Sequence, residues 1–531
     1  MSRNEEERRI CLRGHHRLCH CRWLTAVLIP LMIGLILPLG PSLALADTRT
    51  SSSSVLIIYD SLDVGTEREG NVEALKRLLA AFQVQVTVQS LDTYTAGALE
   101  GYSGLIEVQN RSDLAEENSD YFRDLQSYSG DMLYIGASPR AKMVHALGLQ
   151  VQAVEKMADL SIGPFSQKSI HLPSIYNSNT PNVQEYGTLK IQDTSYPYGM
   201  SKGGYAYVPF LEKDTLSEMA VSYVLKDWVQ QRENGHNYLL FKEIYPFSNL
   251  SLLERMSDEL FEAGIPFIIS VHPVFNNTDY PSMERYINTL KYVQSRNGTI
   301  LVESPVVATT IQDLDRSLYR QMEHFIDVLA EAGVVPLGMG TEMYWSYDEH
   351  FVQEGMSFFD SVVLFPDKRP VHKAELNRSQ AFPSSLYSVT QSYLQRYLIE
   401  GRMIDPPPMD LAITYDFVQT EEELASLTDQ LRNTWIHFED YKNEVHAVAT
   451  EANQLGSERG SLILNGTNIG IQAGHVETSS DYEYKQQEQK SFETWFSVQN
   501  RIFIIIIFIT LFVFSGFLII GYRMYKRKFY K

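Results

Sequence analysis

Short apolar runs alternate with amphipathic stretches along most of this 531-residue chain, and that alternation is its strongest constraint on fold. Strand, helix and strand in succession imply parallel pairing, because a parallel crossover needs a long connection that is usually a helix. Two blocks show the pattern. In the first, 55–59, 84–88, 105–108 and 132–135 read as strands. Helices are expected at 72–82, where Val72, Leu75, Leu78, Leu79 and Phe82 share one face, and at 121–128. In the second, strands are predicted at 238–244, 266–271, 299–302, 335–337, 361–365 and 411–415, and helices at 250–263, 282–295, 316–332, 388–398 and 421–434. The expected fold class is α/β: a doubly wound domain at 55–150, then a (β/α) barrel at 236–445.

The first block reads as flavodoxin- or amidotransferase-like. Ligands of such sheets sit at the carboxyl ends of strands, which here present Asp60, Ser61 and Asp63. No glycine-rich phosphate loop follows the first strand, and the block holds no cysteine nucleophile, so no nucleotide cofactor is expected. Residues 151–235 form a connector: 160–207 is rich in Pro, Gly, Ser, Asn and Tyr and reads as β-rich, and an amphipathic helix at 216–229 leads into the barrel.

The two ends describe a location. Residues 1–46 have an Arg-containing start, an apolar run and Ala44-Leu45-Ala46, the marks of a signal peptide, with 47–54 a polar linker. Residues 502–522 are 21 residues without a formal charge, enough to span a bilayer core. The tail 523–531 carries five positive charges and no acid, which places it on the cytoplasmic side and the bulk of the chain outside, at the cell membrane. Between barrel and membrane, 446–501 reads as a hairpin turning at Asn465-Gly466 and a polar stalk at 477–490.

All three cysteines, Cys11, Cys19 and Cys21, precede residue 47, so the exterior part has no disulfide or thiolate chemistry. The formal charge is −20, and removing +3 for 1–46 and +5 for the tail leaves −28 on 47–522. That surface disfavours nucleic acid and anionic lipid, and suits solubility or attraction of cations and amine-bearing glycans.

The stretch Tyr238-Leu-Leu-Phe-Lys-Glu-Ile-Tyr-Pro-Phe-Ser248, with Gly264-Ile-Pro-Phe-Ile-Ile-Ser-Val-His-Pro-Val-Phe275 after a helix, resembles the opening βαβ of the bacterial polysaccharide-deacetylase-like, NodB-type family. The resemblance implies a barrel whose relatives use a metal held by an aspartate and two histidines to deacetylate surface glycans. This chain departs from that pattern at each ligand position. Lys242 and Glu243 stand where the family has paired aspartates, Glu303 and Val307 where it has a histidine pair, and Asp416 where it has a late histidine. A protonated lysine repels a metal ion, so no metal and no cofactor is expected.

The polar groups at predicted strand ends are Lys242, Glu243, His272, Glu303, Glu342, Tyr344, Trp345, Asp367 and Asp416. Glu243, Glu303 and Asp416 are the catalytic candidates if the barrel is an enzyme; Lys242, His272, Tyr344 and Trp345 are the candidates for substrate binding. The leading expectation is a degenerate, metal-free barrel that binds a cell-surface polysaccharide or assists its processing or export. The alternatives are an active deacetylase or hydrolase with an altered carboxylate site, and a non-catalytic scaffold of a membrane glycan-synthesis complex. An active enzyme requires the three carboxylates to meet in one cleft.

Overall fold

In the computed structural model, residues 54–111, 118–305, 317–367, 378–379, 382–399, 406–434, 436–470 and 492–529 are described. The expected signal at 1–46, nearly all of the linker, Val307 and the stalk at 477–490 lie outside them. Two units are distinct: one runs to Ala473, the other from Gly474 to the end.

Seven parallel strands close the barrel: β12 (Asn237–Ile244), β13 (Phe267–Val271), β14 (Gly298–Glu303), β15 (Pro336–Glu342), β16 (Ser361–Phe365), β17 (Ser384–Thr390) and β18 (Leu411–Asp416), with β18 returning to β12. Buried on both faces, the strands read as nearly continuous apolar runs such as Phe267-Ile-Ile-Ser-Val271, all buried. Between them lie amphipathic helices, among them Leu250–Glu262, whose Leu252, Leu253, Met256 and Leu260 face the core. The sequence reading found six of the strands. It placed a helix from 388, where the chain is still β17 and the helix begins only at Gln391.

The first sheet has the order β2 (Gln85–Ser90), β1 (Ser54–Tyr59), β3 (Gly104–Val108), β4 (Asp131–Ile135), with all neighbours parallel. The connector also contributes to this sheet. β11 (Tyr205–Val208) pairs parallel with β4, and β10 (Gly199–Lys202) and β7 (Gln184–Tyr186) follow antiparallel. The remaining connector strands, β5 (Leu149–Ile162), β6 (Phe165–Ser178), β8 (Thr188–Ile191) and β9 (Thr194–Tyr196), make a separate antiparallel sheet. At the carboxyl ends of β1 and β3, the Asp60 carboxylate accepts from the backbone N–H groups of Ser61, Asn110 and Arg111. Arg68 donates to the Asn110 carbonyl, and Asn110 is itself buried. At this end of the sheet the Asp60 carboxylate and the Asn110 carbonyl are thus engaged by the protein's own loops.

One apolar core runs from Val55 through the barrel to Leu462. The helix Asn71–Ala81 rests on the barrel, where buried Arg77 donates to the Ser388 carbonyl at 2.8 Å and lies over the Tyr387 ring. The barrel's amino-terminal end is covered by antiparallel β19 (His446–Ala449), β20 (Gln454–Glu458), β21 (Ser461–Leu464) and β22 (Thr467–Asn468). Asn465 and Gly466, both at positive φ, make the turn between the last two.

In the second unit, Phe492–Phe529 is one helix. The side chains of 492–505, 508–509, 525 and 528–529 within it lie outside the described residues. Among the described residues no helix is long and apolar enough to cross a membrane.

Candidate functional site

Barrel topology sends the last residue of every strand to one end, and there the strand-end polar groups meet around a cavity of about 1190 Å³. Lys242, Glu243, His272, Glu303, Glu342, Tyr344, Asp367 and Asp416 all line it, so the three carboxylates expected of an enzyme share one cleft. Lys213 and Asp214, from the segment that leaves the first sheet, complete its wall.

The placement of Glu243 depends on a break in strand geometry. In a regular strand Lys242 and Glu243 point to opposite faces. Here β12 bulges: Phe241 and Ile244 pair with Ile269 and Val271, so one extra residue is accommodated, and Glu243 takes a positive φ of 62°. Both neighbours therefore reach the mouth. On the other edge of β12 the register is regular and sets Lys242 beside Asp416, at 2.8 Å between Nζ and Oδ1.

Around Glu243 the contacts are dense. Lys242 Nζ lies 3.6 Å from one carboxylate oxygen, and the Tyr245 hydroxyl donates to the other at 2.5 Å. The Glu243 backbone N–H points to Glu303 Oε2 at 3.3 Å. His272 Nε2 is 3.4 Å from Glu303 and 3.7 Å from Glu243. Its ring stacks on Tyr245, with centroids 4.2 Å apart and planes 10° from parallel.

Burial makes the two glutamates unequal. Glu303 is 7% exposed, and desolvation lifts its carboxyl to about 7, with the negative Glu243 adding to the rise and the Glu243 N–H opposing it. For Lys242, burial works against the charge, but the hydrogen bond and charge of Asp416 outweigh it and raise its pKa. On the far side of the mouth, burial lifts Asp367 to about 6 against the Tyr344 N–H bond.

Trp345 corrects the sequence reading. It is 1% exposed, stacked on Phe351 at 4.4 Å, and Gly355 lies so close that a Cβ there would meet its ring at 2.5 Å. It packs the loop and has no face to offer a ligand, whereas its neighbour Tyr344 does line the cavity. His272, expected as a binding residue, does line the cavity, whereas Tyr245, which also lines it, was not singled out in the sequence. The aromatic-rich segment after β12 was the available sign.

The expectation of a metal-free mouth meets a qualification in the donor set. Glu243, His272 and Glu303 each offer one ligand atom, all within 4.8 Å of one another, and carboxylate with imidazole is a set that zinc accepts. These three residues could hold a divalent ion, with the Lys242 ammonium beside them opposing it. Another arrangement, Asp360, Ser361 and His446, mimics a catalytic triad. Ser361 and His446 are buried at the opposite end of the barrel and Asp360 meets the serine rather than the histidine, so it is a structural network.

No family model matches the chain, and no curated protein matches it. Among solved structures, a family 4 carbohydrate esterase from Bacillus anthracis is similar at 13% identity over 41% of this chain and 88% of its own, with a TM-score of 0.24. A peptidoglycan N-acetylglucosamine deacetylase is similar at 11% identity over 40% of this chain and 92% of its own, with a TM-score of 0.24. A beta-arabinopyranosidase is similar at 9% identity over 58% of this chain and 59% of its own, with a TM-score of 0.22. Likenesses this distant carry no residue role to this chain.

Proposed function

We propose that the barrel mouth is a carbohydrate-processing site in which Glu303 donates a proton to the leaving oxygen and Glu243 attacks the anomeric carbon of a glycan chain drawn into the cleft. The observation that carries this reading is the meeting of Glu243 and Glu303 under different electrostatics. Glu303 is buried and holds a proton close to neutral pH. Glu243 sits against Lys242 and the Tyr245 hydroxyl, both of which favour its anion. A buried carboxyl that keeps its proton towards neutral pH, beside a carboxylate paired with an ammonium, is the arrangement that general acid catalysis of glycoside cleavage uses. Their nearest ligand atoms lie within 4.8 Å, short of the roughly 6.5–9.5 Å that leaves room for an attacking water. The reading therefore predicts retention of configuration, checked by following the anomeric protons of the first product by NMR; inversion would exclude Glu243 as nucleophile.

A second reading is favoured by the Glu243, His272 and Glu303 donor set: metal-assisted hydrolysis, in which a bound ion would polarise the scissile carbonyl or activate water. There Glu243, His272 and Glu303 hold the ion and Lys242 with Asp416 orients substrate. Activity that chelation abolishes and zinc restores would select it.

We also propose the setting. The 21 uncharged residues at 502–522 and the basic tail that follows support a membrane anchor with the barrel outside, and 1–46 supports export. On Phe492–Phe529, Phe512, Leu518 and Phe517 are exposed at 83%, 74% and 67%, as lipid-facing side chains would be. The substrate class is then a cell-surface polysaccharide, and membrane glycan-synthesis proteins are the partners this position suits. The strand order of the first sheet supports a flavodoxin-like domain that serves as a wall of the site rather than as a nucleotide binder.

A further inference from the structure

The rim of the cavity carries a hydrophobic ring that packing does not require. Phe247 is 84% exposed, on the turn that leaves β12 next to the site. An isolated exposed aromatic is ordinary; this one is held in place. Its ring stacks on Tyr245 with centroids 4.9 Å apart and planes 15° from parallel, and Tyr245 stacks in turn on His272. The turn is closed twice, by Ser248 N–H to the Tyr245 carbonyl at 3.0 Å and Tyr245 N–H to Ser248 Oγ at 2.9 Å. Three near-parallel rings thus lead from buried His272, beside Glu243 and Glu303, out to the exposed ring of Phe247.

We propose that the outer face of Phe247 is a sugar-binding subsite, taking the apolar C–H face of a pyranose one or more units from the bond at the acid pair. A flat ring fixed by its neighbours gives up little conformational freedom on binding, and it has no hydrogen-bonding group of its own, so it recognises the apolar side of a sugar. This assignment rests on the carbohydrate reading of the cleft and adds a place where the chain is gripped away from the chemistry.

The test uses the full chain in detergent, with Glu303→Gln as background so that ligand stays intact. Binding of β-1,4-linked hexamers of glucose and of N-acetylglucosamine is measured by calorimetry beside their monosaccharides. Phe247→Ala and Phe247→Leu are expected to weaken hexamer binding by at least about fivefold, with Phe247→Trp retaining it and monosaccharide binding unmoved. Hexamer binding unchanged in Phe247→Ala overturns the subsite and leaves the carbohydrate reading standing. Equal losses for hexamer and monosaccharide also overturn it, since Phe247 would then act by propping Tyr245. No binding of any sugar by the background protein overturns the carbohydrate reading and the subsite together.

Discussion

Glu243 turns its backbone N–H onto the carboxylate of Glu303, 3.3 Å away, from a left-handed conformation that a glutamate adopts only under constraint. The extra residue in β12 creates that conformation, and it brings two acids from neighbouring regions of the barrel together. Backbone strain here is coupled to the site's chemistry.

Holding a non-glycine residue at φ 62° costs on the order of 1 kcal/mol. Glu243→Gly is expected to leave thermal stability unchanged or raise it, while Glu243→Val lowers it by more than about 1 kcal/mol. Both remove activity. A glycine variant markedly less stable than the parent would show that the side-chain contacts of Glu243, rather than its backbone, hold the mouth together.

Two buried groups give stability opposite pH slopes. The Glu303 carboxyl is raised from 4.5 to about 7, so the folded state binds more protons than the unfolded one across that interval, and stability falls as pH rises through it. His446 is lowered by burial from 6.5 to about 4, so its stability contribution is present above 6.5 and is lost as pH falls towards 4. Each effect is worth up to roughly 3 kcal/mol. Melting temperatures between pH 4.5 and 8 should show Glu303→Gln losing the decline with rising pH, and His446→Gln losing the decline on acidification. Parallel curves for parent and variants would contradict the burial argument.

Lys442 is 1% exposed at its side chain, pairs with Asp440 at 2.8 Å, and donates to the Asn297 carbonyl at 3.1 Å, tying the segment before β19 to the barrel. Asp440→Ala leaves that ammonium poorly compensated and is expected to cost about 2–3 kcal/mol. Lys442→Met, which removes the charge and keeps the length, should cost less. The reverse order in chemical denaturation would mean that the hydrogen bond to Asn297, not the ion pair, matters more.

Lys242 separates the two readings of the mouth. Its ammonium neutralises Glu243 and Asp416 where a cation would otherwise sit. Lys242→Ala is expected to raise zinc affinity, seen as a larger zinc-induced rise in melting temperature, and to lower metal-free activity. Tight zinc binding by the parent that Lys242→Ala weakens would favour the metal-assisted reading.

The α/β class and most barrel strands were legible because apolar periodicity survives wherever strands are buried on both faces. β17 was not: Ser384-Ser-Leu-Tyr-Ser-Val-Thr390 mixes small polar and apolar residues and runs straight into the helix at Gln391, so a single pattern seemed to cover both. The candidate residues were legible as strand ends, which a barrel gathers at one mouth. Their mutual geometry was not. A positive φ at a glutamate leaves no compositional sign, so the side-by-side aim of Lys242 and Glu243 could not be foreseen. Trp345 was misjudged because an aromatic loop residue looks the same in sequence whether it packs inward on Phe351 or faces a ligand.

The central claim is that Glu303 and Glu243 work as an acid and its partner without a metal. Its most direct test is release of reducing ends from a panel of β-linked hexose, N-acetylhexosamine and hexosamine oligosaccharides, near pH 6 and with a chelator present. The account predicts cleavage of at least one by the parent protein, undiminished by chelation, and a loss of at least about a hundredfold in both Glu303→Gln and Glu243→Gln. Cleavage that survives both substitutions, cleavage that requires added zinc, or no cleavage of any of them would contradict it.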